Sequence, residues 1–198
     1  MRKFIDGQLL TLASIHKWQQ LYRLKEIKLE LGSGAKKGVN GYITVDTVGA
    51  DIYRDLRHGI PLRNNTVSAI YSSHMLEHIP FKELILFLQE CKRVLKPGGT
   101  LSVCVPNSRN YLKAYIEKRQ FCNIETFYKP AIVDTGSFID QVNYIAYMDG
   151  QHCYLFDEEN LVNTLTLAGF HNVHLRIFDN TIDMAERDFE SIYATAIK

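Results

Sequence analysis

Apolar positions recur along the chain at two different spacings. In residues 8–24, Leu9, Leu12, Ile15, Trp18, Leu21 and Leu24 stand three apart, an interval that gathers side chains on one face of a helix. "IKLEL" (27–31) and "GYITVD" (41–46) are short apolar runs beside glycine, and "ADIYRDL" (50–56) holds a shorter one. Runs of this kind read as strands. A turn around Pro61, Asn64 and Asn65 leads into a strand over 67–72. From Pro80 the period becomes helical again, through Phe81, Leu84, Ile85, Leu88, Cys91, Val94 and Leu95. Proline suits a first helical position because the hydrogen it lacks would be unpaired there anyway. Lys92, Arg93 and Lys96 gather where the helix dipole favours cations, and Pro97-Gly98-Gly99 predicts the stop. "TLSVCV" (100–105) is the next strand. Strands alternating with helices predict a parallel α/β sheet.

Residues 106–156 break this rhythm: they are crowded with Phe and Tyr and follow no clean period. Asp157 is then placed to cap a helix through Asn160, Leu161, Leu165 and Ala168, closed by Gly169. "NVHLRIF" and "FESIYATAIK" complete the pattern as two strands. Their short polar link predicts an antiparallel pair.

The 198 residues suffice for one domain with a real core. A net charge of +1 calls for neither nucleic acid nor an acidic membrane as partner. Cys91, Cys104, Cys122 and Cys153 are scattered with no Cys-x-x-Cys pair, so reduced thiols in a cytoplasmic protein are expected. Asp6, Gly7 and Gln8 interrupt any apolar signal segment after Met-Arg-Lys. No apolar run approaches the roughly 20 residues that a membrane span needs.

"LELGSGAKKGVNGYITVD" (29–46) carries the first chemistry. A strand ending in Gly-x-Gly brings backbone close to a ligand, since no Cβ intrudes. An acid closing the next strand can accept both hydroxyls of a ribose. Gly32, Gly34 and Asp46 fit those roles, although two glycines in an ordinary turn would look the same. The dinucleotide fingerprint wants a third glycine three positions on and an acid about 20 residues further. Here Gly38 comes one position late and Asp46 too early. A pyrophosphate also needs a helix N-terminus after the loop, and residues 35–40 can hardly make one. An NAD-dependent oxidoreductase is therefore handicapped by the spacing.

Together the loop, Asp46, "RDLRHGIPLRNNTVSAIYSSHMLEHI" (54–79) and "RVLKPGGTLSVCVPN" (93–107) resemble the class I S-adenosylmethionine-dependent methyltransferases, in particular compact members of the type 11 kind. The resemblance covers residues 28–107. It implies a Rossmann-like fold with a mostly parallel seven-stranded sheet and a late antiparallel strand. It also implies a cofactor, S-adenosylmethionine. On that resemblance Glu30, Gly32, Ser33 and Gly34 face the methionine part, Asp46 takes the ribose, and Asp55 with Leu56 holds the adenine. Ser73 and His74 then lie beside the sulfonium and the methionine amine. The ligand has no phosphate, and its positive groups welcome acids such as Glu30. The division expected is an N-terminal helix (1–26), a cofactor core (27–105), an acceptor-binding insert (106–156) and a closing helix with strands (157–198), all in one domain.

Only ten residues, 32–41, lie between Leu31 and Tyr42 of the strand that ends in Asp46, fewer than a parallel crossover usually takes. The first crossover helices are thus expected to be shortened to turns, baring one sheet face. Helix 8–24 is expected to cover it, a homodimer contact being the second option.

"HMLEH" (74–78) also matches the inverted zinc-protease pattern. That pattern needs a continuing helix, which Pro80 disfavours at Ile79, so no metal is assigned. His74, directly after a strand, and His152, before the last helix, are the candidate catalytic bases. Asn107, His152 and Tyr154 are the candidate acceptor contacts. The acceptor expected is a small molecule or glycan, methylated at O or N. A catalytically silent methyltransferase-like binding or scaffold protein is the rival reading.

Overall fold

The computed structural model describes residues 14–123 and 127–198. Its strands are β1 (Lys28–Leu31), β2 (Tyr42–Asp46), β3 (Ile52–Tyr53), β4 (Val67–Ser73), β5 (Leu95–Pro106), β6 (His171–Arg176) and β7 (Ser191–Ile197). They form one seven-stranded sheet in the order β3-β2-β1-β4-β5-β7-β6. β1 to β5 run parallel, while β7 is antiparallel to both β5 and β6. The chain steps outward from β1 to β3, then returns to β4 on the other side of β1. Such a reversal opens a crevice at the strands' carboxyl ends, where ligands of open α/β sheets bind.

Helix α1 is seen over residues 14–21; residues 8–13 of the expected helix lie outside the described residues. The other helices are α2 (Phe81–Val94), α3 (Ser108–Ile116), α4 (Ile139–Tyr147) and α5 (Glu158–Leu167). α2 buries Leu84, Phe87, Leu88, Cys91 and Val94 and carries Lys92 and Arg93 in its last turn. Asp157 caps α5 by accepting from Asn160 N at 2.8 Å, as its position predicts. One boundary differs. α2 stops at Val94, and Leu95 already pairs with Val67. Residues 96–99 bulge out of the ladder before Thr100 pairs with Ala69, so Pro97-Gly98-Gly99 shapes a bulge rather than a helix end.

The two faces of the sheet are chemically different. Leu29, Leu31, Ile43, Val45, Ile70, Leu101, Val103 and Ala194 share one face by register. They pack with α2 and α5 in the main core. The connections β1–β2 and β2–β3 contain only turns and bends, so both crossover helices are indeed missing. The opposite face is polar: Glu30, Tyr71 and Ser102 lie side by side on it. The segment after β6 covers this face through hydrogen bonds. Arg176 donates to both oxygens of Asp183 at 2.6 and 2.7 Å, and Tyr71 OH donates to the same carboxylate at 2.9 Å. Lys36 Nζ donates to Glu30 Oε1 at 3.0 Å and to Ile182 O at 3.3 Å, and Asn40 Nδ2 donates to Thr181 O at 2.8 Å. The expectation that the N-terminal helix covers the bared face is corrected here. Trp18 and Leu21 of α1 join the apolar layer, with Ile60 and Leu62 of the β3–β4 connection. An indole needs an apolar bed, which the Glu30 face does not offer.

The insert builds its own small core of Tyr111, Phe127, Ala131, Tyr144 and Ile145. Phe127 and Tyr144 stack with ring centroids 4.1 Å apart. Its described helices α3 and α4 lean on that cluster. No helix among the described residues is long and apolar enough to cross a membrane.

Candidate active site

β1 delivers the chain to Gly32, whose φ of +73° is a conformation that side chains resist. Space reinforces the choice: a Cβ there would lie 2.2 Å from Met75 Cγ. Gly34, at φ +58°, has open space where its Cβ would be. Its N–H donates to Asp46 Oδ2 at 2.8 Å, tying the loop after β1 to the end of β2. Asp46 Oδ1 accepts from Thr47 N and Val48 N, at 2.5 and 3.2 Å, and so holds its own turn.

A cleft of about 550 Å³ opens above these strand ends, and Gly32, Asp46, Asp55, Leu56 and Met75 are among its lining residues. Asp55 caps the turn Leu56–His58 by accepting from Arg57 N. Its carboxylate is gripped by the Arg57 guanidinium at 2.6 Å, which holds its pKa down at about 2. Acids at the rim and apolar Leu56, Ile79 and Phe87 along the wall match a nucleoside, which offers hydroxyls and a flat base. The residues present thus fit S-adenosylmethionine.

The other residues assigned to the cofactor lie outside this lining. Glu30 stands on the polar sheet face, with Oε1 on Lys36 and Oε2 buried without a partner; burial raises its pKa. Ser33 Oγ donates to Gly34 O at 3.2 Å. Ser73 ends β4 on the face of Tyr71 and Cys104.

A second cavity, of about 580 Å³, is lined by His74, Glu77, His78, Tyr128, His152 and Arg187 among others. His74 leaves β4 at φ +48°. Its Nε2 meets Ser191 Oγ at 2.8 Å, and burial lowers its pKa to about 3, so the ring is neutral. Leu76–His78 is a single 3-10 turn. Glu77 is fully buried, its pKa pushed up to about 8 by desolvation. His152 Nδ1 donates to Ile145 O at 2.7 Å, and burial lowers its pKa. The two histidines chosen as bases therefore share one cavity, 78 residues apart in the chain.

Asn107 and Tyr154 line neither cavity. Asn107 caps α3, accepting from Arg109 N at 3.1 Å and donating to Glu158 Oε1 at 2.8 Å. Tyr154 OH accepts from Asn160 Nδ2 at 2.8 Å, and its ring packs on Phe81 and Phe156. Both side chains are thus engaged with α5 and the start of α3. The sequence reading missed Met75 beside Gly32, and Arg187 and Glu190 on the segment Ala185–Glu190. Met75 sits inside "HMLEH" and was within reach of that motif. Nothing in residues 185–190 signals a cavity wall.

Strand order 3-2-1-4-5-7-6, a glycine turn after β1 and acids after β2 and β3 define the class I methyltransferase type of α/β domain. Residues 25–103 match the family described as "Methyltransferase domain". The match covers that segment, and the fold around it is similar to that of class I S-adenosylmethionine-dependent methyltransferases. Among solved structures it is similar to a SAM-dependent methyltransferase from Archaeoglobus fulgidus, with TM-score 0.54 and 15% identity over 100% of this chain and 95% of that one. A SAM-dependent methyltransferase from Thermotoga maritima aligns with TM-score 0.51 and 15% identity, over 100% and 95%. PigF, solved with SAH, aligns with TM-score 0.52 and 10% identity over 87% of this chain and 50% of its own. No curated protein matches the sequence.

Proposed function

We propose that the chain transfers a methyl group from S-adenosylmethionine to a small-molecule or glycan acceptor. The observation that carries this reading is the division of labour in residues 74–78. Met75 lines the cleft of Gly32, Asp46 and Asp55, while His74, Glu77 and His78 line the second cavity. One strand-end turn thus borders both a nucleoside-shaped cleft and a separate chamber for an acceptor.

When bound, S-adenosylmethionine supplies an electrophilic methyl on its sulfonium. The chain supplies alignment. Asp46 would hold the ribose and Asp55 the adenine, with the backbone of Gly32 and Gly34 beneath. Glu30, Ser33 and Ser73 would act from behind the loop. His152, which lines the second cavity, would accept a proton from an acceptor hydroxyl; His74, held at a pKa of about 3, is the weaker base and would instead orient the acceptor. The rival NAD reading has less support, since residues 32–41 form no helix to receive a pyrophosphate.

Calorimetry with S-adenosylmethionine, its demethylated product and NAD separates the readings. Binding of the first two and not the third is expected. Asp46→Ala should weaken that binding about 10- to 100-fold, the loss of charged hydrogen bonds. NAD binding alone would overturn the reading, and so would no binding by any of the three.

A further inference from the structure

Three of the seven histidines converge on one carboxylate. Glu77 is 2% exposed, and neither of its oxygens has a hydrogen-bond partner. A buried carboxylate with no donor is a costly arrangement unless something cationic joins it. The side chains around it are built to leave room for that. His78 Nδ1 is bonded to Gln151 O at 3.0 Å, and His152 Nδ1 to Ile145 O at 2.7 Å. A carbonyl only accepts, so both Nδ1 atoms carry the proton, and both Nε2 atoms present lone pairs. His74 behaves likewise. The Ser191 hydroxyl proton goes to Arg187 O at 2.6 Å, so His74 Nε2 donates to Ser191 Oγ. Its Nδ1 lone pair then faces Glu77 Oε1 at 3.7 Å.

One acceptor oxygen set therefore faces lone pairs on every histidine around it. Water or a proton can satisfy one such contact, but a cation satisfies them all. Imidazoles fixed by second-site donation to backbone carbonyls are the usual setting of metal ligands. The potential ligand atoms of Glu77, His78 and His152 lie within 4.8 Å of one another. A first-row metal about 2.0–2.2 Å from each would draw them together by roughly 1 Å. The segment is held for this: Cys153 N and Tyr154 N donate to Glu77 O at 2.8 and 3.1 Å, fixing the chain just after His152 to the turn.

We propose that Glu77, His78 and His152 form a divalent metal site in the second cavity, with His74 beside Glu77 on its other side. Imidazole with one carboxylate selects zinc, manganese, iron or cobalt over magnesium or calcium. The zinc-protease pattern pointed to two of these residues for the wrong reason. The required helix is absent, and His152 arrives through the fold. Because the metal would stand in the acceptor cavity with positions open, it favours an oxygen acceptor, a hydroxyl or a pair of neighbouring hydroxyls. That last step rests on the methyltransferase reading, whereas metal binding does not.

The probe is Co²⁺ added to the full-length protein after dialysis against a chelator, followed by its visible absorption and by calorimetry. One equivalent should bind with a visible spectrum showing nitrogen ligation, and Zn²⁺ should displace it. Glu77→Gln and His152→Ala should each weaken it at least tenfold, while exposed His174→Ala should not. Circular dichroism and S-adenosylmethionine calorimetry on the same variants show whether they fold and keep the cofactor cleft. Folded variants that bind Co²⁺ as the parent does would overturn the site, as would a parent that takes up none. Metal bound without S-adenosylmethionine binding would keep the site and sink the methyltransferase reading.

Discussion

At the scale of single residues, the cleft at the strand ends is organised by carboxylates that already have protein partners. Asp46 holds Gly34 N and the turn at Thr47. Asp55 holds Arg57 through backbone and guanidinium. These bonds set the loops in place before a ligand arrives, at the expense of some capacity to accept from it. For Asp55 the grip of Arg57 has a direct consequence for acid stability. Its folded pKa is about 2 against an ordinary 3.8, so the carboxylate is stabilised in the folded state. That contribution is fully present above about pH 4 and is lost as pH falls through about 2. Urea unfolding of the parent and of Asp55→Asn should therefore show a stability gap at pH 5 that closes between pH 4 and pH 2. A gap that is constant over this range would mean that Arg57 does not hold the carboxylate. Arg57 is largely solvated, so the gap should be small.

At the scale of elements, the missing crossover helices are compensated by a polar lid. Asp183 is completely buried, and Arg176, Tyr71 and Asp179 N all donate to it. Asp183→Ala should cost about 3–5 kcal/mol, since it leaves a guanidinium and a phenol unpaired in the interior. Replacing both partners, Arg176→Met with Asp183→Leu, should cost much less, and denaturant titration distinguishes the two. Equal losses would mean that the lid is held by packing rather than by the ion pair. This lid marks the limit of what the sequence could tell. Each strand was legible from its own short apolar run, and the absence of two helices followed from the ten residues after Leu31. What replaced them was not legible, because Arg176 and Asp183 meet Tyr71 from more than a hundred residues away. The partners of Asn107 and Tyr154 were not legible for the same reason: Glu158 and Asn160 of α5 reach their polar atoms through the fold.

At the scale of the whole molecule, the two cavities meet along a single turn yet draw on different parts of the chain. The cleft proposed for the cofactor is made by residues 32–90, within the segment that matches the methyltransferase domain family. The second cavity takes Phe127, Tyr128, Tyr144, Met148, Gln151 and His152 from the insert and Glu186, Arg187, Phe189 and Glu190 from the closing segment. Cofactor affinity and acceptor chemistry should therefore be separable by mutation. His152 is the sharpest place to divide them. Its ring packs edge-on against His78 at 4.9 Å, Ile145 O fixes its tautomer, and it lines the second cavity and not the cleft. His152→Ala should lower turnover about 100-fold or more, the range for loss of a proton acceptor or acceptor-binding group. The S-adenosylmethionine dissociation constant measured by calorimetry should stay within about twofold. Asp46→Ala should show the reverse split, with affinity lost and turnover at saturating cofactor largely kept. If His152→Ala weakened cofactor binding as much as Asp46→Ala, the two cavities would be one site, and the insert would belong to the cofactor rather than to the acceptor.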